Sequence, residues 1–403
     1  MTSRASLLRV RSDTTRPFTV VWISHMLAEV FLLMHPALVP VFIYEFNLSL
    51  FEAGLLVTIP SLCRLAVTIP TGILADKLGP KRFIILSMLI GGVAGILVNQ
   101  SANVYSLLVG LSLIMMSVTL YHPPGMSVIG HLFPNQAERS KAIGLHGASG
   151  SIGQALGTIS LGLLLTFGWR FSYLLFAIPL LIWAVVLAGM RIPQLTKRQL
   201  QPEPLKTAQQ KRQVTNSPTK KLISHGFSIL LLSMGLNALA NNGVAAFMTT
   251  YMTTTDNFSQ EAASIIFGVG PLIGIVGAIA AGFLSSKVGP EKSLMLIYFG
   301  QVTFLLGFVF LPSAIFTAAS FLMYQFFLSA VWTPANSLVV SLMGEMGGGT
   351  AYSFFFFSND APGAISPLIA AVLIQSLGVA SPFILAVILL VACGLLTKFI
   401  KSN

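Results

Sequence analysis

Apolar residues in this chain neither alternate nor keep to one helical face; they run on for about twenty positions at a time, the length an α-helix needs to cross a hydrocarbon core of roughly 30 Å. Such runs occupy residues 18–44, 51–75, 83–100, 104–133, 138–166, 171–190, 225–251, 260–285, 293–311, 314–343, 351–375 and 379–397, twelve in all. The polar stretches between them are mostly short. The pattern predicts an all-α polytopic membrane protein with twelve transmembrane helices. It excludes an outer-membrane barrel, whose strands alternate apolar and polar residues with period two.

Composition agrees. Of 403 residues, 55% are hydrophobic and only 9% charged, against about 25% in a soluble chain. The net charge of +11 follows from 23 basic and 12 acidic residues. With the N-terminus placed in the cytoplasm, 21 of the 23 basic residues fall on that side, leaving Arg170 on the opposite face and Arg64 inside a span. The positive-inside bias therefore puts both termini in the cytoplasm of a cell inner (plasma) membrane, with lipid as an obligate partner. The basic charge is a topology signal, and no nucleic-acid partner is expected. Residues 1–17, rich in Arg, Ser and Thr, imitate an organellar presequence, but a cytosolic tail is the simpler reading. The first run is longer than a signal-peptide core and no small-residue cleavage site follows it, so no cleavage is expected. Cys63 and Cys393 fall inside spans, where a thiol packs as a small apolar group.

Residues 191–224 interrupt the apolar pattern with eight basic residues, Glu203 and four prolines. They predict a cytosolic linker between two bundles, 18–190 and 225–397, with a short tail at 398–403. The bundles also echo each other. Gly72-x-Leu74-x-x-Lys77-x-Gly79-Pro80-x-Arg82 recurs as Gly282-x-Leu284-x-x-Lys287-x-Gly289-Pro290-x-Lys292, displaced by 210 residues. Leu120-Tyr121-His122-Pro123 is echoed by Val331-Trp332-Thr333-Pro334. A duplicated six-span unit keeps both copies in one orientation, giving two six-helix pseudo-repeats around a central cavity.

The segment Gly72-Ile73-Leu74-Ala75-Asp76-Lys77-Leu78-Gly79-Pro80-Lys81-Arg82 resembles the loop signature of the major facilitator superfamily, and the decayed second copy, the linker and Gly168-Trp169-Arg170 extend the likeness over the whole chain. The resemblance implies that spans one, four, seven and ten line a cavity. It also implies a conformational latch at Gly72, Asp76, Lys77, Gly79, Lys81 and Arg82, in which Asp76 engages the start of span eleven in one of two alternating states. A narrower likeness, to the fosmidomycin-resistance-type exporters, is carried by Ser24-His25-x-x-x-Glu29, by Tyr121-His122-Pro123-Pro124-Gly125 and by Gly147-Ala148-Ser149-Gly150-Ser151-Ile152-Gly153. That group has a Glu where Pro124 stands here. The proline of the antiporter signature of span five is likewise absent, with Ser151 following Gly150.

An ionised side chain at the bilayer centre costs about 2.5 to 3.5 kcal/mol on insertion scales, so the intramembrane charges mark function or pairing. Glu29, Arg64 and Asp360 qualify, together with His25 and His122. Glu29, Asp360 and His122 are the proton-coupling candidates. Two outcomes stay open for Glu29 and Arg64: a fixed pair, leaving Asp360 or a histidine to titrate, or Arg64 as an anion ligand with Glu29 titrating. His25 and Glu29 share a helical face at i, i+4, and no third ligand is visible in the spacing, so no metal and no cofactor are expected. Asn237 and Asn241 of span seven, with Tyr324, Gln325, Trp332 and Asn336 of span ten, join His25 and Arg64 as substrate-binding candidates for a mostly apolar solute. Gly150, Gly153 and Gly157 form a stripe suited to close helix packing.

These features predict a secondary active transporter working by alternating access, exporting a small amphipathic compound in exchange for protons, and a monomer. Proton-driven uptake of a small organic anion held by Arg64 is the close rival. A membrane-embedded lipid-modifying enzyme is the rival from another class, but no nucleophile elbow or phosphate loop supports it and no catalytic residue is assigned.

Overall fold

The computed structural model describes residues 2–133, 135–192, 224–311, 313–343 and 348–400; the side chains of residues 2–13, 76, 136, 137, 140 and 348–350 are outside the description. Nearly all of the expected linker, part of the C-terminal tail and the Asp76 carboxylate thus lie outside the described residues. Twelve helical spans are present: Thr14–Ala37, Leu50–Ala75, Pro80–Asn99, Val104–Leu132, Lys141–Phe167, Trp169–Gly189, His225–Thr254, Gln260–Val288, Pro290–Phe310, Ala314–Leu342, Ala351–Leu377 and Ser381–Phe399. No strand occurs among the described residues.

Local sequence sets the span ends. Ser49 and Asn103 close capping boxes with Glu52 and Ser106 at the starts of spans two and four, satisfying orphan amide groups that hydrocarbon would leave unpaired. Ser224 and Ser259 cap spans seven and eight more simply, their hydroxyls accepting from the Phe227 and Ala262 amides. The tight turns need left-handed backbone, and among the described residues six supply it: Asn47, Gly79, Gly168, Asn257, Gly289 and Gly378. They form three pairs, Asn47 with Asn257, Gly79 with Gly289 and Gly168 with Gly378, and each pair is 210 residues apart. The duplication read from one loop and from the echo of span four in span ten therefore holds at three loops of each half. Contacts follow it too: the nearest atom to a Cβ on Gly72 would be Pro123 Cβ, and on Gly282 it would be Thr333 Cγ2, both at 3.9 Å.

Two spans are broken. Span one leaves helix after Glu29, turns through residues 30–33 and resumes at Met34–Ala37 and Val39–Glu45. Pro36 and Pro40 explain this, because each lacks an amide hydrogen and crowds the carbonyl four residues earlier. Span ten breaks at Val331, three residues before Pro334. Span four, by contrast, stays helical from Val104 to Leu132 through Pro123 and Pro124. An irregularity at His122 would have followed from those prolines; the irregularity sits instead beside its partner, Glu29.

Spans three and six, outside the set expected to line a cavity, turn apolar faces outward. Leu86, Leu89, Val93 and Leu97 are exposed along span three, and Leu175, Ile178, Ile182 and Val185 along span six. At the end away from the linker, a clamp ties the first half together. The Arg170 guanidinium lies 2.6 Å from Glu45, donates to the Ser101 carbonyl and stacks over Trp169, whose indole also donates to Glu45 at 2.6 Å.

The described close approaches between the two bundles cluster at that same end. Val39, Ala53 and Val57 pack with Ala246, Phe247, Ala370, Ala371 and Ile374 in one apolar cluster. Gly54 faces Ala371, and Gly162 faces Glu261 and Ile265. Thr249 donates to the Pro36 carbonyl and Gln260 to that of Ala37. Small residues let these backbones approach.

Candidate functional site

Spans one, four and five meet in a buried polar cluster at the middle of the first bundle. Span one brings in His25 and Glu29, span four Tyr121 and His122, and span five His146, Ser149 and Gln154. Their approach depends on the glycine stripe of span five. A Cβ on Gly150 would lie 2.6 Å from the His25 ring, one on Gly153 2.0 Å from the Met26 carbonyl oxygen, and one on Gly157 1.8 Å from that of Val30. No larger residue fits without parting the helices.

Glu29 is 3% exposed, yet both carboxylate oxygens have partners. Oε1 lies 2.7 Å from His122 Nε2 and Oε2 accepts from Gln154 Nε2 at 2.8 Å. While Glu29 is ionised its oxygens only accept, so His122 then carries hydrogen on Nε2. His122 itself is open: its side chain is 34% exposed. The pair thus joins a sealed carboxylate to a reachable imidazole.

The remaining groups fix the tautomers. His25 Nδ1 lies 2.7 Å from the His146 carbonyl oxygen, which obliges it to donate. Its Nε2 then presents a lone pair towards Glu29 Oε1, 3.8 Å away, and has no hydrogen-bond partner. Tyr121 donates its single hydroxyl hydrogen to the Val21 carbonyl at 2.6 Å, so His146 Nε2 donates to the Tyr121 oxygen at 2.9 Å. The rings of His25 and His146 stack 3.9 Å apart. Ligand atoms of His25, Glu29 and His122 lie within 4.8 Å of one another. The third potential ligand that helical spacing hid in span one is supplied by span four.

Arg64 stands apart from this cluster. Glu29 has no ion pair with it; among the described residues the charge contacts are those of the His25 and His122 rings with Glu29, ionic only when the imidazole is protonated, and the Arg170–Glu45 pair. Both oxygens of Glu29 are engaged by neighbours from the first bundle, and the fixed Glu29–Arg64 pair is not formed. Asp360 is half-buried in span eleven, its Oδ1 accepting from Asn359 Nδ2 at 3.1 Å.

In the second bundle, Asn241 donates to Asn237 at 2.8 Å, and the Tyr324 hydroxyl donates to Asn241 Oδ1, all three buried. Gln325 turns to span eight, where a Cβ on Gly270 would meet its amide at 2.6 Å. Trp332 packs against Phe355 and Phe356 of span eleven, and Asn336 donates back to the Trp332 carbonyl. Three of the six amide and aromatic candidates form one network, Gln325 and Trp332 face neighbouring helices, and Asn336 bonds within its own. In the loop signature, Lys81 reaches past its own turn to the Met190 carbonyl at 2.6 Å, holding the end of span six. Lys77 and Arg82 are exposed.

Gln154, Tyr121 and His146 complete the cluster but were not site candidates from the sequence. His146 shared a stripe with the glycines, while Gln154 had no signal beyond lying four residues after Gly150.

Residues 21–367 match the model of the Major Facilitator Superfamily. The chain is 25% identical over 303 residues to the "Major facilitator superfamily multidrug transporter mfsC" of Aspergillus fumigatus, covering 70% of this chain and 55% of that protein. It is 28% identical over 156 residues to the "Riboflavin transporter RibZ" of Clostridioides difficile, covering 38% and 34%. It is 26% identical over 147 residues to the "Methyl viologen resistance protein SmvA" of Salmonella typhimurium, covering 36% and 30%. The matches thus span about half or less of these relatives' lengths. Among solved structures, the fold is similar to a bacterial homolog of the human lysosomal transporter Spinster in an inward-facing, unoccupied conformation, with a TM-score of 0.76 at 15% identity over 96% of this chain and 97% of that one. A POT family transporter in complex with 5-aminolevulinic acid gives 0.77 at 14% identity, over 96% of each chain. Twelve membrane-spanning helices, the 210-residue repeat and a family match over most of the sequence lead to one conclusion: the chain belongs to the Major Facilitator Superfamily of transporters.

Proposed function

We propose that this transporter is a proton-coupled antiporter of the cell inner membrane, with both termini cytoplasmic, that exports a small amphipathic compound by alternating access. The observation that carries the coupling is the contact between sealed Glu29 and half-open His122. A carboxylate surrounded by hydrocarbon needs a compensating positive charge or a proton, and of the two imidazoles beside it the one in hydrogen-bond contact, His122, is also the one reachable from outside the bundle. Gln154 holds the second oxygen in place, so the proton has one defined receiving atom. Asp360 is a second proton-coupling candidate. His25, Asn237, Asn241, Tyr324, Gln325, Trp332 and Asn336 are proposed to contact solute, and Gly72 to Arg82 to latch the halves. The export direction is supported by the drug-resistance relatives and the fosmidomycin-resistance likeness of His25, Glu29 and His122.

Uptake of a small organic anion is the second reading, favoured by one observation: Arg64 has no ion-pair partner among the described residues. Proteoliposomes separate the two, with methyl viologen and riboflavin as probes. Antiport accumulates a probe inside vesicles whose lumen is acidic. Accumulation inside alkaline vesicles placed in acidic buffer contradicts export and supports the symport reading.

A further inference from the structure

Two intramembrane charges take no part in the cluster, Arg64 of span two and Asp360 of span eleven. Both are half-buried, and neither forms an ion pair among the described residues. Their spans run antiparallel across the boundary between the halves, and one contact fixes the register. A Cβ on Gly54 would lie 2.6 Å from Ala371 Cβ and 3.2 Å from the Pro367 carbonyl oxygen. Position 54 therefore sits opposite 367–371. Ten residues along span two lead to Arg64, and about ten residues back along span eleven lead to Asp360, so both lie about 15 Å deeper than that contact.

The faces agree as well. In an α-helix, steps of seven or eleven residues return to within about 20° of the starting direction. Arg64 stands at those steps from Val57 and Ala53, and Asp360 at those steps from Pro367 and Ala371. Ala53, Val57 and Ala371 belong to the apolar cluster that joins the halves. Arg64 and Asp360 thus continue the two contact stripes, at equal depth, beyond the point where the halves touch.

We propose that Arg64 and Asp360 form an ion pair between the two bundles when the linker end closes, and that this pair holds the empty transporter in that state. Each charge is costly in hydrocarbon without a partner, and each is the nearest opposite charge on the facing stripe. In the conformation seen here the bundles meet at the other end, and the pair is open. The inference rests on alternating access, but its readout is a distance rather than transport, so either can fail alone.

The test uses full-length protein in lipid nanodiscs with Cys63→Ser and Cys393→Ala. Spin labels are placed through His131→Cys and Ser341→Cys, exposed positions at the linker ends of spans four and ten that are equivalent in the repeat. Double electron–electron resonance reads the linker-end distance. The parent protein is expected to show a short-distance population that Arg64→Gln and Asp360→Asn each reduce about fivefold or more, the range of a coupling between two states. The charge exchange Arg64→Asp with Asp360→Arg restores it. Unchanged distances in the single variants, or no recovery in the exchanged one, overturn the proposal. Should a charge variant fail to fold, Arg64→Cys with Asp360→Cys replaces it: oxidation is expected to cross-link the halves, and no cross-link counts against the pair.

Discussion

At the residue scale, the cluster is held by what is missing from span five. With carbonyl oxygens 1.8 and 2.0 Å from the places a Cβ would occupy, Gly153 and Gly157 leave no room for side chains, and backbone cannot yield as a flexible side chain does. Gly157→Ala is expected to destabilise the first bundle by about 1 to 3 kcal/mol, the usual cost of overpacking. Gly144→Ala, with nothing within 4 Å of its Cβ, is the matched control and is expected to unfold with the parent protein. Thermal unfolding in detergent distinguishes them. The glycine stripe and the His25–Glu29 face were legible because both obey one helix's periodicity. The Gln154 contact was not, since helical spacing says nothing about which neighbouring span supplies a partner.

At the scale of elements, the break in span one puts Glu29 at the end of a helical segment, where the chain turns before Pro36. Prolines in spans one, four and ten looked alike in the sequence, yet Pro123 and Pro124 sit in unbroken helix while Pro36 and Pro334 follow breaks. A proline removes one hydrogen bond wherever it falls; whether the helix bends or parts is settled by what packs against the freed carbonyl. In span one the turn that follows Glu29 begins at Val30, whose carbonyl is pressed on Gly157. Pro36→Ala is expected to let residues 30–37 regain helix and to rotate Glu29 away from His122. The variant then folds but loses uphill, proton-driven transport, while probe-for-probe counterflow persists within about threefold, since uniform binding is untouched. Loss of both together contradicts this role for the break.

Across the whole molecule, the repeat was visible in one loop with its decayed copy and in a short echo of span four in span ten, and among the described residues all six with left-handed backbone pair at one displacement. Turn geometry outlasts side-chain identity because few residues tolerate it. The surface where the halves meet was illegible, because Ala53, Ala246, Ala370 and Ala371 look like ordinary span residues until two helices are laid side by side. Gly54→Leu inserts bulk into that contact and is expected to open the end away from the linker. Spin labels through Tyr44→Cys and Thr254→Cys, exposed and equivalent in the repeat, report it as a population moved about tenfold towards the longer distance, corresponding to about 1.4 kcal/mol.

The proposed entry point of a proton into the transport cycle is the Glu29 carboxylate, reached through His122. Pyranine-loaded proteoliposomes carrying the parent protein or Glu29→Gln, tested with methyl viologen and riboflavin under an imposed pH gradient, measure this as probe-dependent proton movement. Glu29→Gln is expected to abolish proton movement and uphill accumulation while retaining counterflow. Proton movement at the parental rate in Glu29→Gln would contradict it.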